Sequence, residues 1–222
     1  MLPLNAVSVM NTTGDAGCAY SDDAEITVRA RRLVFENTVF SVYVDHIADK
    51  NGNEVPLYLS VVPKCLLTDS IAGVAVLPVR DGKVGLIRVF RHPLGRWSWE
   101  AIKGHVEPEE NAQLAAAREL IEESGFSVEA DSFVYLGTIA PEGGVIEART
   151  CLFAGVVKDE ALSSVNPELG YGELAFFSND EIDDLIERGE IEDASTMVLV
   201  YKWQITKASA LGKSNFYCEM RV

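Results

Sequence analysis

Glu119, Glu122 and Glu123 stand at positions i, i+3 and i+4, followed at once by Ser124 and Gly125. At about 100° per residue, these three carboxylates share one side of a helical turn. Held that close they repel one another, by about a few tenths of a kcal/mol for each like pair. Hard oxygen ligands on a rigid helix are what Mg²⁺ or Mn²⁺ requires, and such a cation would remove the repulsion. The same spacing also describes an ordinary solvated acidic face. Two features weigh toward the cation. Arg118 is the only local compensating charge, directed to Glu122 or Glu110, and the helix is entered through a glycine-bearing loop, Gly104 to Glu110, instead of a short polar turn.

The elements that must position these groups can be read around them. Asn111 suits an N-cap, Ala115, Ala116, Ala117 and Leu120 are strong helix formers, and Gly125 suits the residue just past a helix end. The spacing predicts a helix over about 111–124, with Leu114, Ala117, Leu120 and Ile121 toward the core and the glutamates on the opposite side. Upstream, "VFSVYVDHIAD", the turn "KNGN" and "VPLYLSVV" predict a β-hairpin or small antiparallel sheet. "IAGVAVLPV", "RDGK" and "KVGLIRVFR" predict a second strand pair, and "WSWEA" leads into a polar loop. "FVYLGTIA" and "RTCLFAGVV" read as strands around the loop "PEGGVIEA". Ser178, three residues before Glu181, forms a capping box for a helix that ends at Gly189. "DASTMVLVYKWQITKA" closes the chain as a helix. Strands and helices alternate without strict βαβ order, so the expected class is α/β (α+β) with a mixed sheet between helices.

Composition narrows the function. The chain has 222 residues, 48% hydrophobic and 24% charged, enough to bury a sizeable core. Its formal charge of −15 repels a nucleic-acid backbone, so no nucleic-acid partner is expected. There is no run of about 18 apolar residues, so no membrane partner is expected either. "MLPLNAVSVM" carries no Lys or Arg before its apolar residues and does not read as a secretory signal. The four cysteines lie far apart with no CxxC pair, as in a reduced, cytoplasmic protein without a zinc site or disulfide framework.

Gly104, five residues, Glu110, seven residues, and then Arg118-Glu119-Leu120-Ile121-Glu122-Glu123-Ser124-Gly125-Phe126 match every fixed position of the Nudix box. Over residues 32–204 the chain most resembles the ADP-ribose pyrophosphatase branch of the Nudix hydrolases. The stretches behind this are the β-rich "FENTVFSVYVDHIADKNGNEVPLYLSVV", the lead-in "GVAVLPVRDGKVGLIRVFRHPLGRWSWEA", Pro141, which lies 16 residues beyond Gly125, and "ERGEIEDASTMVLVYKW". The resemblance implies the Nudix fold, with a small N-terminal antiparallel β-region. It also implies hydrolysis of a nucleoside diphosphate sugar with Mg²⁺, or Mn²⁺, as cofactor.

The resemblance carries roles onto particular residues. Glu119 and Glu123 would be the principal metal ligands, Glu122 would support a further ion and act in catalysis, and the backbone carbonyl of Lys103 would add a ligand. Gly104, Glu110 and Arg118 would hold and orient these groups. Glu147, or second to it Glu142, would be the general base, on a loop that Gly143 and Gly144 let move over substrate. Arg91 would contact the pyrophosphate, and Glu100 would lie near it. Trp97, Trp99 and Phe90 would stack on a base, shape the pocket or pack in the core. His92 and His105 are given no role. The branch commonly has Pro-Ala-Gly before the box, whereas this chain has Ala101-Ile102-Lys103-Gly104. A cationic side chain at position 103 would change metal affinity or meet a phosphate.

The expected organisation is an arm over residues 1–24, a dimerising β-region over 25–66, the Nudix domain over 67–208 and a tail over 209–222. A homodimer whose site uses both chains is expected. The competing readings are a silent Nudix-fold sensor of nucleotide sugars and a hydrolase of dinucleoside polyphosphates or oxidised nucleotides. An isoprenyl diphosphate isomerase is disfavoured by the intact box.

Overall fold

The structure is a computed structural model that describes residues 25–158 and 169–219, with side chains of the last helix described to Lys207. The expected arm over 1–24 lies outside the described residues. The described residues divide into two compact units, residues 25–32 with 44–58, and residues 33–43 with the described residues from 59 onward.

Three strands, β1 (Ile26–Glu36), β2 (Phe40–Asp49) and β3 (Glu54–Pro63), form a sheet in the order β1-β2-β3. The "KNGN" turn between β2 and β3 is built by Asp49, whose carboxylate accepts from the backbone amides of Asn51 (2.8 Å) and Asn53 (2.9 Å). Within the first unit, the buried Asp45 receives a two-pronged ion pair from Arg31, both contacts at 2.9 Å.

The second sheet has seven strands. β4 (Ile71–Arg80), β5 (Lys83–Arg91), β8 (Val134–Ile139), β9 (Arg149–Val156) and β10 (Tyr171–Phe177) lie in the order β10-β5-β4-β9-β8. β6 (Arg96–Glu100) pairs with β5, and β7 (Ile102–His105) pairs with β4. β4 and β9 are parallel while the other pairs are antiparallel, so the sheet is mixed as expected. The sequence does not single out β6, β7 or β10: "RWSWE" and "IKGH" are short, and "YGELAFF" carries a glycine and a charge.

Alternate residues of β4 feed two cores, because side chains alternate across a strand. Val74 and Val76 join Ala115, Ala116 and Leu120 of α1 (Ala112–Ser124) on one face. Ala75, Leu77 and Val79 join Ile182 and Leu185 of α2 (Asn179–Glu187), and Leu199 and Val200 of α3 (Ala194–Glu219), on the other. The sheet is therefore sandwiched between helices. The caps follow the sequence: Asn111 accepts from the Leu114 amide, Gly125 sits at φ 73°, and Ser178 and Glu181 complete a capping box.

Candidate active site

α1 turns a different face to the core from the one its Leu and Ile residues suggest. Leu114 and Ile121 are exposed, while Ala115, Ala116, Leu120, Glu119 and Glu123 are buried. The helix packs closely on β4 and β7 through small alanines, which fixes its rotation and carries two of the three glutamates inward. Glu122 alone keeps an exposed carboxylate, with 56% of its side-chain surface accessible. The expectation that all three would lie opposite the core is thus corrected.

Arg118 organises the box. Its guanidinium donates to Glu110 through Nε (3.1 Å) and Nη2 (3.0 Å), to Glu119 at 2.7 Å, to Glu122 at 3.1 Å and to the His105 carbonyl at 2.8 Å. One side chain therefore closes the loop Gly104–Glu110 onto the helix. Burial pushes the Glu110 carboxyl up, but hydrogen bonds from Arg118 and the Glu107 amide hold it, on balance, below its ordinary value. Arg118 itself is driven well above the ordinary arginine value, chiefly by its hydrogen bond to Glu110 and then, against the opposing effect of burial, by Glu119. Gly104 leaves the space that the Glu119 carboxylate fills. A Cβ on it would lie 1.8 Å from the Glu119 carboxylate, and Gly73 in turn lets β4 approach the Gly104 carbonyl.

These groups open into a cavity of about 510 Å³. Its walls include Lys103, Gly104, His105, Arg118, Glu119 and Glu123 from the box region, together with Arg91 and Tyr171. Arg91 donates to Glu100 through Nε at 2.9 Å and Nη2 at 2.6 Å. Glu100 is almost wholly buried and also receives Lys103 Nζ at 2.6 Å. The same ammonium reaches Asp193 at 2.8 Å. So the Lys103 side chain sits between two carboxylates. Asp193 was missed by the sequence reading. It caps α3, accepting from the Thr196 amide (2.8 Å) and hydroxyl (2.7 Å), while Thr196 Oγ1 accepts from the Ala101 amide at 2.9 Å. An aspartate with a threonine three residues on, just before a helical pattern, was the available signal.

Other expected site residues lie elsewhere. Glu147 borders a neighbouring cavity of about 400 Å³ with Gly143, Asp69 and Arg149, and it is not in the wall of the box cavity. Ile146 and Ala148, on either side of it, border both cavities. The loop is tied to β3 by Val61, whose amide donates to the Val145 carbonyl (2.8 Å) and whose carbonyl accepts from Glu147 (2.9 Å). Gly144 and Glu142 line neither cavity. Trp99 is core, edge-on to Phe177 at 4.9 Å, and Trp97 packs against Phe90 at 5.6 Å. None of these aromatics borders the box cavity; Phe40, edge-on to His105 at 5.8 Å, does.

Among the described residues, no three His, Cys, Asp or Glu side chains are gathered so as to hold a metal ion. Arg118 draws Glu119 and Glu122 to itself. The donor chemistry nevertheless fits a hard divalent cation: carboxylates spaced along one helix beside a strand whose Gly104 leaves room for Glu119.

Residues 69–198 match the NUDIX domain. The chain belongs to the Nudix family and is a Nudix pyrophosphohydrolase by class. It is 26% identical to the ADP-ribose pyrophosphatase of Bacillus subtilis (strain 168) over 183 residues, covering 81% of this chain and 92% of that protein. It is 24% identical to the methanol dehydrogenase activator of Bacillus methanolicus, covering 83% and 95%. A crystal structure of an ADP compounds hydrolase superimposes with a TM-score of 0.69 at 18% identity, covering 84% of this chain and 96% of that one. That likeness bears on the fold.

Proposed function

We propose that this protein is a divalent-cation-dependent hydrolase of ADP-ribose or a related nucleoside diphosphate sugar, releasing a nucleoside monophosphate and a sugar phosphate, and that it works in the cytoplasm. The observation that carries the reading is one cavity shared by Glu119 and Glu123 of the box and by Arg91, Lys103 and Arg118. A pyrophosphate is polyanionic and kinetically inert, so its hydrolysis needs charge neutralisation, a positioned water and a proton acceptor. Glu119, Glu123, Glu122 and the Lys103 carbonyl would hold Mg²⁺ or Mn²⁺. Such a cation, when bound, neutralises phosphate oxygens and acidifies water.

The chain's own groups supply the rest. Arg91 presents a planar fork suited to two phosphate oxygens. Glu122, the box carboxylate left exposed, would accept a proton in catalysis. Glu147 serves as base only where the loop Pro141–Ala148 brings it from the neighbouring cavity into this one. Arg118 and Glu110 keep the box glutamates in place, a supporting task on which metal sites depend.

Turnover of a panel of nucleotide sugars and dinucleoside polyphosphates, with Mg²⁺ and then Mn²⁺, tests the reading. We expect ADP-ribose to be hydrolysed and Glu122→Gln to lower kcat by about 10²- to 10⁴-fold, the usual contribution of a general base. Metal-dependent binding of ADP-ribose without turnover would support the sensor reading instead. The similarity to a methanol dehydrogenase activator favours one further reading, a role in activating another enzyme. A change in the rate of a partner dehydrogenase caused by this protein and by its Glu122→Gln form alike would separate that role from hydrolysis.

A further inference from the structure

Arg91 and Lys103 both line the box cavity, yet both are already committed to the same buried carboxylate. Arg91 Nη2 and Lys103 Nζ each lie 2.6 Å from Oε2 of Glu100, whose side chain is only 3% exposed. The Nε–Nη2 edge of Arg91 cannot grip a pyrophosphate while it holds Glu100. Nor can it simply leave, because a buried carboxylate stripped of its counter-charge is strongly disfavoured. Lys103 resolves this conflict. Its ammonium is steadied from the other side by Asp193 at 2.8 Å, and Asp193 is itself fixed at the start of α3 by Thr196. When Arg91 departs, Glu100 keeps a full positive charge against Oε2.

We propose that the Lys103 side chain is a positioning residue that holds the charge of Glu100 so that Arg91 can exchange this carboxylate for the substrate's diphosphate. The inference rests on the part of the proposed function that brings a diphosphate to Arg91. It explains why a lysine is tolerated immediately before the box glycine, since the ammonium is directed into the Glu100–Asp193 pair. It also makes Lys103 a tuner of substrate affinity through its side chain, independent of any use of its backbone carbonyl.

The test is calorimetric titration of ADP with Mg²⁺ into the wild type and into Lys103→Ala, Lys103→Arg and the double variant Lys103→Ala with Glu100→Gln. Thermal unfolding of each confirms that it folds. Lys103→Ala should weaken ADP binding about tenfold or more, because Arg91 is then held by an otherwise uncompensated Glu100. Lys103→Arg keeps the charge and should bind within about threefold of the wild type. The double variant should recover most of the lost affinity, since the neutral amide that Glu100→Gln introduces no longer detains Arg91. A loss in Lys103→Ala that the Glu100 change does not relieve would mean a merely structural role and would overturn the proposal. So would unchanged binding in Lys103→Ala, or no binding of ADP by the wild type. ADP-ribose turnover, measured separately, tests the hydrolase reading, so a folded protein that binds ADP in this pattern without turnover would sink that reading and leave this one standing.

Discussion

Gly104 and Glu119 are bound to each other by space. A methyl group at position 104 would fall 1.8 Å from a carboxylate that Arg118 already holds at 2.7 Å. In Gly104→Ala the flexible end of Glu119 yields before the backbone does. The expected cost in stability is therefore modest, about 1–3 kcal/mol as for other overpacked sites. Activity should suffer more, by about 10²-fold, since a displacement of about 1 Å is enough for that. Parallel denaturant unfolding and turnover measurements would distinguish the two effects. Asp193 gives a pH prediction. Burial pushes its carboxyl up, but Lys103 and Thr196 outweigh that and hold it below its ordinary 3.8. A carboxyl depressed on folding contributes stability that is complete above the unfolded value and is lost as pH falls through the folded one. Wild-type stability should therefore drop below about pH 4, and Asp193→Asn should show a shallower fall over that range in urea unfolding followed by fluorescence.

At the scale of elements, α1 carries the box and its ends are fixed independently of the site. Asn111 caps its start by accepting from the Leu114 amide at 2.9 Å, and Gly125 closes it in the left-handed conformation. Asn111→Ala should cost about 1 kcal/mol of stability. Because the cap lies about two turns from Glu119, kcat should change little while the unfolding midpoint falls; a large loss of kcat at unchanged stability would show that the helix start is coupled to the chemistry. The loop between β8 and β9 behaves differently. Its backbone is tied to Val61, so the side chain of Glu147 borders one cavity while its neighbours Ile146 and Ala148 border both.

At the scale of the whole molecule, the three-stranded sheet leaves large apolar side chains in solvent: Leu33, Val34 and Phe35 on β1, and Val55, Leu57 and Leu59 on β3. Large apolar side chains left in solvent on a sheet suit an interaction surface. We propose that a second copy of the chain covers it. Light scattering behind size exclusion should give a dimer, and Leu57→Asp, at a position 74% exposed, should shift it toward monomer without unfolding either unit. A wild-type monomer at all concentrations would rule the dimer out. Among the described residues no helix is long and apolar enough to cross a membrane.

The sequence by itself determined what depends on local order along the chain. The box spacing named the family, Asn111, Gly125 and the Ser178–Glu181 pair marked helix ends, and short apolar stretches bounded by turn or loop residues marked β4, β5 and β9. These signals lie within a few residues of one another, and the backbone hydrogen bonds they control are equally local. Tertiary structure alone decided the rest. Which face α1 buries is set by close packing of Ala115 and Ala116 on β4 and β7, and that overrides the larger hydrophobicity of Leu114 and Ile121, leaving them exposed and drawing Glu119 and Glu123 in. The partners of Lys103 were likewise beyond reach. Asp193 lies far along the chain from Lys103, and only the docking of α3 against the strand before the box, through Thr196 and the Ala101 amide, brings its carboxylate to the ammonium.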